Sequence, residues 1–215
     1  MIPNNAIFTF RAFGIPVEIG MTALLLVGFL ALSAGRGGTA GLVHGLAYAI
    51  VLVVSILVHE LGHALVGARL GLRPQRIVLH GFGGFCEYGS RPQPRQGVVS
   101  SLAGPGAGLV LGGLLVVVRL LLGARIPDSV LSLVDAGIFI NLFWSLFNLL
   151  PIFPMDGGQV LWYALRIRLS PARADKIVRY VSIPVAVVAG LLGYLAGFVF
   201  IPLICFFAIA RLLRL

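Results

Sequence analysis

His59-Glu60-Leu61-Gly62-His63 puts two imidazoles and a carboxylate within five residues. On a helix, His59 and His63 fall on one face, about 6 Å apart along the axis. That spacing lets two imidazoles bind one zinc ion, with Glu60 beside them as a general base. The eighteen residues before the cluster, Gly41 to Val58, contain no Asp, Glu, Lys or Arg. They read as a membrane-spanning helix that runs straight into it. Ionisable groups at membrane depth need a partner or a function, so the cluster reads as a site.

Two imidazoles rarely complete a zinc site, which sends the search to the acids. The chain has only seven. Glu18 stands where the first apolar span begins, and Asp128 and Asp135 lie toward the opposite side of the bilayer. Glu87 falls in a strand-patterned segment, and Asp175 lies among basic residues. Asp156 remains, in Pro151-Ile152-Phe153-Pro154-Met155-Asp156-Gly157-Gly158, at the depth where the second span delivers the histidines. Pro151 and Pro154 break the helix there, and Gly157 and Gly158 are expected to keep the backbone open around the carboxylate. Taken alone, Asp156 reads as the cap of a helix starting near Gly157. Beside the His-Glu-x-x-His motif, it reads as the third metal ligand.

The elements that must position these residues follow from hydropathy. Hydrophobic residues make up 59% of the 215-residue chain and charged residues 11%, more apolar surface than one soluble core can hide. The pattern predicts an all-α polytopic membrane protein with about six transmembrane helices and a small β-hairpin or sheet at the membrane edge. The spans fall at about residues 17–34, 42–68, 98–122, 130–150, 179–196 and 198–213. A short strand is expected around Ile7–Arg11 and Gly14–Ile19, leading into the first span, and a hairpin over about 76–89. One domain, residues 1–215, is expected, with a catalytic core at about 42–165, the last two helices at about 179–213 and no soluble appendage. No cleavable signal peptide is read at the start.

The net charge of +9 is a topology signal and excludes no membrane role. Thirteen of the sixteen basic residues fall on one side of the six spans, leaving Arg36, Arg119 and Arg125 for the other. The basic side is expected to face the cytoplasm, with both termini there, and no nucleic acid is expected as a partner. In the third span, Ser100, Gly104, Gly108 and Gly112 recur at every fourth position, which suits close helix packing. In the fourth, Gly137, Asn141, Ser145 and Asn148 share a stripe, with Asn141 and Ser145 read as hydrogen-bonding glue between helices. Cys86 and Cys205 read as bystander thiols. His44 lies about 22 Å along the helix from His59, too far to share its metal. His80, in the hairpin, reads as an ordinary polar loop residue.

These residues together resemble the site-2 protease family of intramembrane zinc metalloproteases, in a minimal form. The resemblance rests on His59-Glu60-Leu61-Gly62-His63, on Asn148-Leu149-Leu150-Pro151 with Pro154-Met155-Asp156-Gly157-Gly158, on the Gly104-Pro105 step and on Gly83-Gly84. It covers about residues 7–165, and departs from the family where Gly106-Ala107-Gly108 replaces the polar residue often found after the Gly-Pro step. It implies that His59, His63 and Asp156 bind one zinc ion per chain and that Glu60 activates the water in the fourth position. It also implies that Asn148 binds the substrate backbone or assists at the oxyanion. The expected activity is hydrolysis of transmembrane protein substrates near the cytoplasmic face of a prokaryotic plasma membrane. A helical substrate must unwind before attack, and an exposed edge at about 76–89 would give its freed backbone a partner. The rivals are a membrane metalloprotease of another lineage, using Glu87 or an unseen ligand and cutting soluble unfolded chains, and a non-proteolytic binding partner or transporter that retains a metal site.

Overall fold

The computed structural model describes residues 6–34, 38–81 and 83–213. Arg36, Phe82 and Arg214, which entered the sequence reading, lie outside the described residues. Strands β1 (Ala6–Ala12) and β2 (Ile15–Gly20) lead into helices α1 (Met21–Ala34) and α2 (Gly38–Arg69). Strands β3 (Pro74–His80) and β4 (Gly83–Tyr88) follow, then α3 (Pro94–Leu122), a single 3-10 turn at Gly123–Arg125 and α4 (Asp128–Asn148). Helices α5 (Asp156–Arg166), α6 (Pro171–Leu195) and α7 (Phe200–Leu212) complete the chain.

Among the described residues, four helices are long and apolar enough to cross a membrane: α2, α3 with its 3-10 extension, α4 and α6. Helix α1 has 14 residues and α7 has 13. At about 1.5 Å per residue both fall short of the roughly 30 Å of a hydrocarbon core. The first predicted span begins too early, because Val17 to Gly20 belong to β2. An apolar, β-branched run looks the same at the start of a helix and in a buried strand. Here the register decides it, since Val17, Glu18 and Ile19 lie parallel to Ile77, Val78 and Leu79 of β3.

The four strands form one sheet in the order β1-β2-β3-β4. The expected strand and hairpin are therefore halves of a single sheet. Its apolar face, with Ile15, Val17, Ile77 and Leu79, packs on Ala64 of α2. Its polar face carries Arg76, whose guanidinium binds Glu18 at 3.1 Å and Glu87 at 2.6 Å. This triad spans three strands and ties up two of the seven acids. The small-residue row of α3 is buried, as its spacing suggested. A Cβ on Gly62 of α2 would stand 2.5 Å from the Ala103 carbonyl of α3, so the two backbones cross in contact. The Asn141 amide donates to Ser55 Oγ at 2.8 Å, which joins α4 to α2, and also to the Gly137 carbonyl of its own helix at 2.8 Å. This is the interhelical role expected of Asn141.

Helix α5 is amphipathic, and its Trp162 indole donates to Asp175 of α6 at 2.6 Å. At the far end of α2, His44 shares a 3.2 Å hydrogen bond with Ser132 of α4. Arg119 pairs with Asp135 at 2.8 Å. Both lie away from the His-Glu-x-x-His turn.

Candidate metal centre

Helix α2 presents His59 and His63 on one face, and the chain returns Asp156 to them at the first residue of α5. His59 Nε2 lies 3.0 Å from Asp156 Oδ2, His63 Nε2 lies 3.2 Å from Asp156 Oδ1, and the two Nε2 atoms are 3.1 Å apart. His59 and Asp156 are buried, and the His63 side chain is 12% exposed. Glu60 lines the same cavity and is 5% exposed. Among the described residues, His59, His63 and Asp156 form a group of donors that could hold a metal ion.

The donor chemistry fits zinc. His63 Nδ1 lies 2.7 Å from the Ser100 carbonyl, which can only accept, so Nδ1 carries the hydrogen. In the neutral ring Nε2 then turns a lone pair toward the Asp156 carboxylate and the other imidazole. Lone pairs that face one another at about 3 Å repel unless a cation stands between them. Zinc bonds of about 2.0–2.1 Å in a tetrahedral shell place donor atoms about 3.3 Å apart, close to the observed separations.

The loop that carries Asp156 corrects one sequence expectation. Gly157 and Gly158 do not hold the backbone open; they let it close. A Cβ on Gly157 would run into the Leu149 and Leu150 carbonyls, and one on Gly158 would strike the backbone of Ile152 and Phe153. The loop therefore coils back onto the start of α5. Nor does Asp156 cap that helix, since Met155 occupies the cap position.

Several residues that shape the centre were not read from the sequence as parts of it. Tyr88 of β4 donates to the His63 carbonyl at 2.8 Å. Gly84 of β4 lies against the Glu60 side chain, and Gly104 of α3 against the His63 imidazole. Ser182 of α6 binds the loop before Asp156 at two points. The cavity around the cluster has a volume of about 890 Å³ and is walled by β4, α4, α5 and α7. Asn148 lines it, as do Tyr163, Gln159, Arg211 and His80. Burial shifts His80 toward its neutral form, and the three-residue cluster does not include it. Cys86 also faces the cavity, but burial pushes its thiol up to about 12, so it stays protonated and unreactive. Glu87, the ligand of the rival reading, pairs with Arg76 at 2.6 Å and is not part of the three-residue cluster.

The profile of peptidase family M50 matches residues 47–131 and 123–189, which include the His-Glu-x-x-His turn and the Asp156 loop. The Synechocystis protein sll0528 is 37% identical over 171 residues, covering 74% of this chain and 44% of that protein. The zinc metalloprotease MJ0392 of Methanocaldococcus jannaschii is 28% identical over 204 residues, covering 95% of this chain and 58% of that one. Among solved structures, the site-2 protease from M. jannaschii superposes with a TM-score of 0.69 at 25% identity, covering 96% of this chain and 94% of its own. The chain belongs to peptidase family M50, a family with zinc metalloproteases among its members, and to the site-2 protease family its motifs resemble. It spans about half the length of the curated relatives it matches.

Proposed function

We propose that this chain is an intramembrane zinc metalloprotease that hydrolyses peptide bonds of transmembrane protein substrates near the cytoplasmic face. The observation that carries this is the convergence of His59 Nε2, His63 Nε2 and the Asp156 carboxylate beside a buried Glu60. His59, His63 and Asp156 would hold the ion. When bound, zinc supplies a Lewis acid that lowers the pKa of water and polarises a carbonyl. Glu60 takes the proton of the attacking water on its carboxylate and returns it to the leaving amine nitrogen. The Ser100 carbonyl holds the His63 ring in the tautomer that offers Nε2. The Asn148 amide lines the cavity and donates to the substrate carbonyl oxygen as negative charge gathers there.

Strand β4 supports the route by which substrate arrives. It is the last strand of the sheet, and Gly84, Phe85, Cys86 and Tyr88 line the cavity. A transmembrane helix must unwind before its peptide bonds can be attacked, and an unpaired strand edge offers the freed backbone a partner. Proline at edge-facing positions of β4 is expected to reduce cleavage while zinc content holds; unchanged turnover removes the edge from the mechanism. In this reading α1 and α7, though shorter than the hydrocarbon core is thick, cross a locally thinned bilayer as partners of α2 and α6. This makes six passes and leaves both chain ends on the basic, cytoplasmic side of a prokaryotic plasma membrane.

The decisive test uses purified chain and a single-span test substrate in bilayer nanodiscs. Glu60→Gln should keep zinc and lose hydrolysis, whereas Asp156→Ala should lose both. Cleavage by the Glu60→Gln protein would show that the base lies elsewhere.

A further inference from the structure

Asp156 is delivered by a loop, residues 149–155, with no ladder or helix of its own to hold it. Pro151 and Pro154 have no N–H, which leaves the loop poor in donors. Helix α6 supplies the missing partner. Ser182 is fully buried, and its hydroxyl does two jobs at once. Oγ accepts the Phe153 N–H at 3.1 Å and donates to the Pro151 carbonyl at 2.9 Å. Phe153 is in turn wedged from the other side, because Gly158 of α5 packs on its backbone. Ile152, between the two anchored residues, is fully buried among side chains of α6 and α7. A rigid path therefore runs from Ser182 through Phe153 and Gly158 to Asp156.

We propose that Ser182 is a positioning residue for the metal centre, fixing the loop so that the Asp156 carboxylate meets the two imidazoles. This rests on Asp156 being a zinc ligand. Loss of the hydroxyl takes the partner from the part-buried Phe153 N–H and Pro151 C=O, and a shift of the loop toward new partners relieves that cost. Its shift moves Asp156, since the tight contacts at Gly157 and Gly158 leave no slack to absorb it.

The test is zinc affinity of the full chain in detergent micelles, measured by competition with a chelating dye and independent of proteolysis. Ser182→Ala should bind zinc about tenfold more weakly or worse, the usual scale for supporting residues around a metal. Ser182→Thr, which keeps the hydroxyl, should restore most of the affinity. Thermal unfolding of the metal-free variants separates positioning from bulk stability. Equal zinc affinity in Ser182→Ala overturns the proposal, whether or not the metal-free chain is destabilised. If the alanine variant is not recovered folded, Ser182→Cys keeps the size and weakens both bonds, and affinity equal to wild type overturns the proposal in the same way. Failure of the wild-type chain to bind zinc would overturn the metal-site reading itself, and this inference with it.

Discussion

Gly84→Ala is a sharp probe of the base, because it touches Glu60 and not the ligands. A Cβ at Gly84 would stand 2.6 Å from Glu60 Cγ and 3.0 Å from Cδ and Oε1. Carbon atoms in ordinary contact sit about 3.5–4.0 Å apart, so the site is short of room by about 1 Å. Strand β4 cannot easily retreat, since Gly84 is registered against Leu79 and its neighbours are paired along β3. Helix α2 cannot retreat either, since Gly62 abuts the Ala103 carbonyl. The Glu60 side chain must turn. Displacing a reacting group by about 1 Å costs about 100-fold in rate. That is about 2.7 kcal/mol of transition-state stabilisation. Single-turnover cleavage of a single-span substrate, with zinc content measured on the same sample, reads the effect. A near-normal rate would mean that Glu60 does not work from this pose. Loss of zinc together with rate would mean that the strand, not the base, had given way.

Gly104→Ala should behave in the opposite manner. Its Cβ would overlap the His63 imidazole, Nε2 included, so metal analysis of the purified variant should find zinc lost, and zinc retained at wild-type affinity would exclude this packing. Metal removal should also lower stability, since a ligand at about a thousandfold its Kd stabilises by about 4 kcal/mol. A chelator should therefore lower the melting temperature of wild type but leave Asp156→Ala unmoved, and an equal drop in both would place the ion elsewhere.

Asp156 was legible in the sequence because a membrane chain carries few acids, and each of the others had a visible reason to be elsewhere. Glu60 aside, the structure gives four of the other five acids a partner away from the centre: Glu18 and Glu87 share Arg76, Asp135 holds Arg119, and Asp175 accepts from Trp162. His59 and His63 were legible because helical periodicity alone puts them on one face. Gly84, Gly104, Tyr88 and Ser182 were not, because their meaning is relational. Gly104 sat in a row that read correctly as close packing, but no spacing rule says that the partner is a ligating imidazole. Ser182 lies where the charged first turns of α6 give way to an ordinary apolar stretch, and its role depends on which loop docks beside it. At Gly157 and Gly158 the residues were right and the reason was wrong. Small residues signal close approach and open backbone alike, and sequence cannot tell which. The early start assigned to the first span failed for a similar reason, because strand pairing between Val17 and Ile77 is decided sixty residues away.

The tight contacts around the centre share one design. His63 has Gly104 of α3 against it, Glu60 has Gly84 of β4, and the Asp156 loop has Gly157 and Gly158. A membrane gives helices no hydrophobic drive to associate, so close approach depends on small residues and on polar groups that find partners. The proposed ligands are gathered within a few ångströms of one another, and elements stripped of Cβ atoms at the contacts can come near enough to enclose them. The same packing gives polar groups around the centre their partners: the Ser100 carbonyl for His63 Nδ1, the Tyr88 hydroxyl for the His63 carbonyl, and Ser182 for the loop. Each glycine should therefore fail in its own way when given a methyl group. Gly104 should lose the metal, Gly84 should lose the base with the metal kept, and Gly158 should weaken the metal through the loop as Ser182→Ala does. A uniform loss of folding across all three would mean that these glycines serve the packing of the whole bundle and not the separate parts of the centre.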